Sequence, residues 1–574
     1  MGPGASAPTE TLSGGSTRKS VLMVGGAAVA VAVVAGAAFG AVKFLDDDSD
    51  AAGSIEVAAA MPANTLAMAA VSLEPDQVVE AIEMLDKFPV FATNVDVDAD
   101  GDVVGQILST VLSEEDTCGL TYESDFKPWL GSSAGMGIMP EADGTVDLES
   151  DPRVFAVVET LDADKAEAAF TKFSSCGTDA EPGAGVWAFV DDSAVLAENQ
   201  ETLDMVTSGI AGGSLADSED FRAVMDTAGE AGFASMYLSK SFGTVFGDLL
   251  ASGALATAPE GMVTPDDFVG EFGGDIDPGL ESADPLDTLC PGAELSQPDL
   301  DSMTGSLEAF PGVGAIARFN DGGLEIEGGS PPSVLESVVG GTGAGQTVST
   351  LPADTAAAIG FSLPPGWTQS VIDQFAQVCG PDFDSEGLLD ELSAQIGLSL
   401  PDDLETLLGD STVLSLGSGL NFEDMAYSAD PLAEVPFGIK IHGDTAGIQS
   451  VIDTVLALVP PEASGYLQTA TDGDYLVLAP NEDYRSALAS DGGLGEVEEF
   501  TDVVRNPDDA SFVIFLNANA LDSVLEESMQ SMGGTLDSAE VDQIVANYAP
   551  LKAIGISGWT DDSGSHSLFR LSTD

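Results

Sequence analysis

The chain says much of what it has to say twice. MPANTLAMAAVSLEP at Met61–Pro75 returns as LPADTAAAIGFSLPP at Leu351–Pro365, with Pro62, Ala63, Thr65, Ala67, Ser72, Leu73 and Pro75 recurring 290 residues later. An internal repeat of this length constrains a fold strongly, because each matched pair of segments must take the same role in two copies of one unit. The correspondence continues in order. LGSSAGMGI at Leu130–Ile138 is answered by LGDSTVLSL at Leu408–Leu416. Phe155–Phe173, FAVVETLDADKAEAAFTKF, aligns without a gap to Phe437–Val455, FGIKIHGDTAGIQSVIDTV. Ala166, Ala169, Phe170 and Phe173 fall on Ile448, Val451, Ile452 and Val455, a spacing that puts each set on one helix face. Asp162 and Asp444 precede these helices where an N-cap carboxylate belongs.

Further on, VLAENQETL from Val195 is set against LVLAPNEDY from Leu476, EDFRAVM from Glu219 against EEFTDVV from Glu498, and SMYLS from Ser235 against IFLN from Ile514. AIARFNDGG from Ala315 then matches AIGISGWTDD from Ala553 at a much smaller offset, which assigns the first copy an insert at about 252–297, rich in Pro, Gly and Asp. Segments such as VFAVVET and FVIFLN carry branched and aromatic residues, amphipathic helices alternate with them, and VWAFVDDSAVLAE reads as a hairpin. The expected fold class is α+β: an N-terminal transmembrane helix followed by two related repeats with mixed or antiparallel sheets, 58–327 and 351–574, joined by a linker at 328–350.

Ahead of the repeats, Val21–Val42 holds 22 residues without a charge. As a helix it would run about 33 Å, enough for a hydrocarbon core of about 30 Å. Arg18 and Lys19 precede it and only Lys43 follows, so the expected arrangement is a flexible inner tail at 1–20, a membrane helix at 21–43, an acidic spacer at 44–57 and an extracytoplasmic remainder. A cleaved secretory signal is the alternative, and it too exports the bulk of the chain.

The chain carries 97 Asp and Glu against 16 Lys and Arg, a formal charge of −81. Such a surface repels nucleic acid and anionic headgroups, and it repels itself unless salt screens it, which points to a saline exterior. Hydrophobic residues make up 44% of the chain, enough for a sizeable core. Cys118, Cys176, Cys290 and Cys379 form an even set on the exported side and allow three disulfide connectivities. Pairing of sequence neighbours, Cys118 with Cys176 and Cys290 with Cys379, is the expected one. With only His442 and His566 in the chain, a zinc site of the Cys/His type is disfavoured.

The apolar segment, the (L/M)PA(D/N)T openings, LDKFP at Leu85–Pro89 and DFKPWLG at Asp125–Gly131 together resemble a family of single-pass bacterial envelope proteins defined as a domain of unknown function. The resemblance implies the topology and supplies no catalytic residues. The second copy has LLG at Leu407–Gly409 where PWLG would stand.

Candidate chemistry is sparse. GSSAG at Gly131–Gly135 matches a nucleophile elbow around Ser133, but a strand rather than a helix is expected after it. Asp96, Asp98, Asp100 and Asp102 with Gly101 open a calcium loop, yet Ile107 occupies the position of its bidentate Glu. His442, His566, Lys240 and Lys440 lack a motif, and Trp129, Trp187, Trp367 and Trp559 fit a core role as well as a stacking one. The functional expectation is a non-catalytic binding or scaffold module of the cell envelope that binds an envelope ligand or protein at the seam of its halves, with no cofactor unless calcium. A hydrolase using paired carboxylates is the alternative.

Overall fold

The computed structural model describes residues 52–74, 102–114, 119–140, 153–174, 185–244, 310–333 apart from 321, 340–379, 385–420, 430–458, 467–521 and 544–573, with Met84, Lys87–Pro89 and Ser428. The chain divides into two compact units. Of the described residues, one unit comprises those of 52–74 and 102–218, the other Met84, Lys87–Pro89 and those of 219–573.

In the first unit, β1 (Ala67–Ser72), β2 (Leu130–Met139), β3 (Arg153–Thr160), β4 (Val186–Val190) and β5 (Ser193–Ala197) form an antiparallel run in the order β1-β2-β3-β5-β4. Helix α1 (Ala52–Ala59) crosses β1 and β2, and Gly135 makes room for it: a Cβ there would lie 2.6 Å from Val57 Cγ1. The amphipathic α2 (Ala163–Ser174) buries Ala166, Ala169 and Phe170, as its spacing requires. Helix α3 (Gln200–Gly212) starts at Asn199, whose side chain accepts the Thr202 N–H.

The second unit holds β6 (Ala234–Leu238), β7 (Val313–Asn320), β8 (Gly323–Ser330), β9 (Thr355–Phe361), β10 (Ser411–Gly417), β11 (Phe437–His442), β12 (Thr469–Asp472), β13 (Tyr475–Leu478), β14 (Phe512–Asn517), β15 (Leu551–Asp561) and β16 (Gly564–Thr573). Their order is β12-β13-β11-β10-β9-β14-β15-β16-β8-β7-β6, again antiparallel throughout. Helices α4 (Glu219–Thr227), α5 (Ala344–Ser349), α6 (Thr445–Leu456), α7 (Glu482–Leu488) and α8 (Glu498–Val503) pack on these strands.

Equivalent devices recur at matched positions. Thr65 returns both its N–H and its hydroxyl to the Pro62 carbonyl (3.0 and 2.8 Å), and Thr355 does the same to Pro352 (3.0 and 2.7 Å). Pro62 bridges Ser214, and Pro352 bridges Gly493. The PA(D/N)T phrase is therefore a strand-opening turn tied to a later 3-10 turn. The hairpins β4–β5 and β12–β13 both turn through a positive φ, at Asp191 (48°) and Gly473 (58°), matching the twist of the flanking strands. Asp162 accepts the Lys165 N–H and Asp444 the Ala446 N–H. Asn481 caps α7 as Asn199 caps α3, so the two asparagines are the equivalent residues, and setting Val195 against Leu476 was one residue out of step.

The expected fold class is corrected on one point. No helix among the described residues is long and apolar enough to cross a membrane, and Val21–Val42 lies outside those residues. α3 and the helix Trp367–Cys379, at 13 residues each, would span only about 20 Å. The described chain is mostly antiparallel sheet carrying short helices. Its apolar residues alternate along short strands and leave no continuous apolar rod.

Candidate functional site

The strands of the second unit carry their charges on an unusual side. α4, α5 and α8 all lie on one face of the sheet. A Cβ on Gly329 would come 2.3 Å from the backbone of Thr227 and Ala228, one on Gly555 2.3 Å from the Val503 carbonyl, and one on Gly360 2.6 Å from Val348. On this helix-covered face Glu325 of β8 is cross-strand neighbour to Arg318 of β7 and Arg570 of β16. Arg570 Nη1 donates to Glu325 Oε2 at 2.5 Å, Arg318 Nη2 lies 2.5 Å from Glu325 Oε1, and Arg318 also meets Glu327. Arg570 is 1% exposed and Glu325 3%. Ionised groups pack here where a sheet under helices is ordinarily apolar.

The opposite face is the reverse. Its central row runs Ile359, Ile514, Ile556, Phe569, Ile326 across β9, β14, β15, β16 and β8, each residue paired with the next. One flanking row is Ala357, Leu516, Ile554, Leu571, Leu324; the other is Phe361, Phe512, Gly558, Ser567, Gly328. None of these positions is charged, and Ser567 Oγ is the single side-chain hydrogen-bonding group among them. Ile359 is 45% exposed and Phe512 37%, and the rest of the central row is half-buried. The pairing β16–β8 at one end of these five strands joins the end of the second sequence copy to the end of the first.

Residues singled out from the sequence lie elsewhere. Ser133 is buried within β2, its hydroxyl 3.3 Å from Glu159 Oε2, which also accepts the Ser132 N–H (2.7 Å) and hydroxyl (2.9 Å). An extended strand does not expose a serine as an elbow does. Asp102 accepts the Gly105 N–H (2.9 Å) at the start of the helix Val103–Glu114 and pairs with Lys127 Nζ at 2.7 Å, which draws its carboxyl below the ordinary value. Asp96, Asp98 and Asp100 lie outside the described residues, as do Cys118, Cys176 and Cys290; Cys379 ends the helix Trp367–Cys379. Lys240 pairs with Asp220 at 2.7 Å.

His566 Nε2 lies 3.1 Å from Ser563 Oγ and 3.3 Å from Asp561 Oδ1. One nitrogen thus faces both groups, whereas a catalytic triad divides serine and carboxylate between the two ring nitrogens. Its ring stacks on Trp559 (centroids 5.1 Å apart, planes 3° apart). His442 lies 3.4 Å from Asp410 and beside Tyr475. Lys440 is buried on β11, donating to the Thr350 (3.1 Å) and Ser490 (3.3 Å) carbonyls just past the C-termini of α5 and α7, with Tyr475 under its ammonium. Burial pushes it down to about 8.

DFKPWLG forms a knot of the first unit. Asp125 accepts the Thr121 N–H (2.9 Å), the Ser124 hydroxyl (2.7 Å) and Lys172 Nζ (2.7 Å), and its carbonyl accepts Trp129 Nε1 (2.5 Å). Trp129 is 2% exposed and packs edge-on against Phe170. The motif holds a π-helical turn, Tyr122–Phe126, against α2.

The part of the chain containing this knot is the part with a known likeness. Residues 24–238 match the family described as "Protein of unknown function (DUF3352)". The description assigns the family no activity, and the seam strands β7, β8, β15 and β16 lie beyond the matched segment. No curated protein and no solved structure matches the chain.

Reading by sequence segments missed the uncharged face and the Arg318–Glu325–Arg570 cluster. The signal was present in GLEIEGG and HSLFRL, where charged and apolar residues alternate. Only the pairing of β8 with β16 shows that the apolar sets fall on one side.

Proposed function

We propose that this chain is a non-catalytic binding module of the cell envelope, working outside the cytoplasm, whose ligand meets the uncharged sheet face at the seam of two duplicated copies. The observation that carries the reading is the inverted placement of charge. A chain with 97 acidic residues keeps a five-strand face free of them, while Glu325, Glu327, Arg318 and Arg570 sit under helices instead. Burying ions costs several kcal/mol each unless they are paired, so the arrangement reads as selection on the uncharged face. Contiguous apolar patches of a few hundred Å² commonly mark binding surfaces. Duplication is supported by the shared strand order, β1-β2-β3-β5-β4 against β9-β10-β11-β13-β12, and by the matched caps and turns. Export is supported by the apolar run Val21–Val42 behind Arg18 and Lys19, and by the acidic composition.

The test is purification of the full chain from its native envelope, with mass spectrometry of whatever accompanies it. A molecule recovered in constant ratio with wild type and lost with Ile556→Asp, at an unchanged melting temperature, is the expected result. A wild-type chain that carries nothing, or a companion retained by Ile556→Asp, refutes binding at this face. Protease added to intact cells should digest the large domain; protection of the domain refutes the location.

A further inference from the structure

We infer that the junction holding the opening turn of β9 to the 3-10 turn before α8 is a clasp whose local opening is set by protonation of Lys440. The two sequence copies build this junction alike. In the first, the Leu215 N–H donates to the Met61 carbonyl (2.8 Å) and the Ala63 N–H to the Gly213 carbonyl (3.0 Å), beside the Pro62–Ser214 bridge. In the second, the Leu494 N–H donates to the Leu351 carbonyl (3.0 Å) and the Gly492 N–H to the Thr350 carbonyl (3.1 Å), beside the Pro352–Gly493 bridge. The strand position that serves them differs. Val157 of β3 pairs with Gly135 and Val195, and the matching position of β11, paired with Val413 and Val477, is Lys440. Both side chains are buried, Val157 at 0% exposure and Lys440 at 2%. A valine therefore suffices to fill this place in the sheet.

The lysine adds a charge that the clasp itself has to hold. Its Nζ donates to the Thr350 carbonyl (3.1 Å) on one side of the clasp and to the Ser490 carbonyl (3.3 Å) on the other, with the Tyr475 ring centroid 4.8 Å away. Among the described residues no carboxylate pairs with it; Asp491, after α7, and Asp472 of β12 bear on it from exposed positions. His442, two residues on, shares its side of β11, α5 carries no ionisable side chain, and Arg485 of α7 is turned to the Ala479 carbonyl. An ammonium buried without a carboxylate is disfavoured relative to one in water. It reaches water by releasing the two carbonyls it holds, which are the two sides of the clasp. Charge on Lys440 thus favours the open junction, and loss of the proton favours the closed one. Burial pushes Lys440 down to about 8 from an ordinary 10.5, so the clasp is loosest below pH 8 and tightens as pH rises from there towards 10.5.

The test is hydrogen exchange of the full chain between pH 7 and 9.5, with labelling times scaled to the intrinsic rate and mass spectrometry of peptides from both junctions and from β15. At pH 7 the amides of Gly492 and Leu494 should be at least tenfold less protected than those of β15 and than Ala63 and Leu215 of the first junction. Their protection should stay level to pH 8 and then rise about 30-fold by pH 9.5, about tenfold per unit for one proton. Protection equal to that of β15 would mean that the junction opens only with the whole unit, and it overturns the inference. Protection equal to that of the first junction at pH 7, or level from pH 8 to 9.5, overturns it as well. These comparisons need no variant. Lys440→Met, with folding established by circular dichroism, should abolish the rise, and a rise that persists removes Lys440 as its cause.

Discussion

Glu325→Gln tests the buried charge cluster directly. The side chain is 3% exposed and touches Arg570 and Arg318 at 2.5 Å each. Glutamine preserves the shape and one acceptor but removes the charge that both guanidinium groups face. Arg318 retains Glu327, whereas Arg570, 1% exposed, loses the Glu325 carboxylate to which its Nη1 donates. Removing one member of a buried ion pair costs about 3–5 kcal/mol, because the survivor stays buried and uncompensated. Arg570→Met is the informative comparison. It takes away the buried cation itself and leaves Glu325 paired with Arg318, so its cost should be about 1–3 kcal/mol, closer to that of a lost charged hydrogen bond. Chemical denaturation of the full chain, followed by circular dichroism at fixed salt, measures both. The ranking should persist at molar salt, since buried pairs are screened far less than surface ones. A Glu325→Gln cost below about 1 kcal/mol, or an Arg570→Met cost exceeding it, would refute the argument that the cluster's stability rests on the shared carboxylate.

Four other outcomes are expected. Gly329→Ala should destabilise by about 1–3 kcal/mol in thermal or chemical denaturation, because its Cβ would stand 2.3 Å from the backbone of Thr227 and Ala228 and must displace α4. Lys440 titrates in the folded chain at about 8 against an ordinary 10.5, so between those values the unfolded chain binds more protons and stability rises with pH; denaturation across that window should show the rise in wild type and a shallower slope in Lys440→Met, and an unchanged slope would exclude the assignment. Trp129→Phe keeps the ring packing on Phe170 but loses the bond to the Asp125 carbonyl, and should lower stability by about 1–2 kcal/mol in chemical denaturation. The melting temperature of the whole chain should climb from dilute buffer towards molar sodium chloride as the −81 exterior is screened, and a flat or falling trend would count against the saline-exterior reading.

Much of the local structure follows from the sequence alone. The Pro-Ala-x-Thr phrase dictates its own turn, because a threonine three residues after a proline can return both N–H and hydroxyl to one carbonyl. The spacing Ala166, Ala169, Phe170 dictates the buried face of α2, and Asn199 and Asn481 dictate where two helices begin. These are contacts within a few residues, and residue type at fixed spacing decides them. What the tertiary structure decided is everything that depends on which strand lies beside which. Glu325 and Ile326 are adjacent in sequence and occupy opposite faces of β8, but nothing local says which face α4, α5 and α8 cover. That is settled by Gly329, Gly360 and Gly555, which let α4, α5 and α8 approach one side, and by the register of β16 on β8, which brings Arg570 to Glu325 and Phe569 to Ile326. A one-residue slip of that register would exchange the charged and apolar faces. The uncharged face is therefore a property of long-range pairing across 245 residues of chain, which no window of sequence contains.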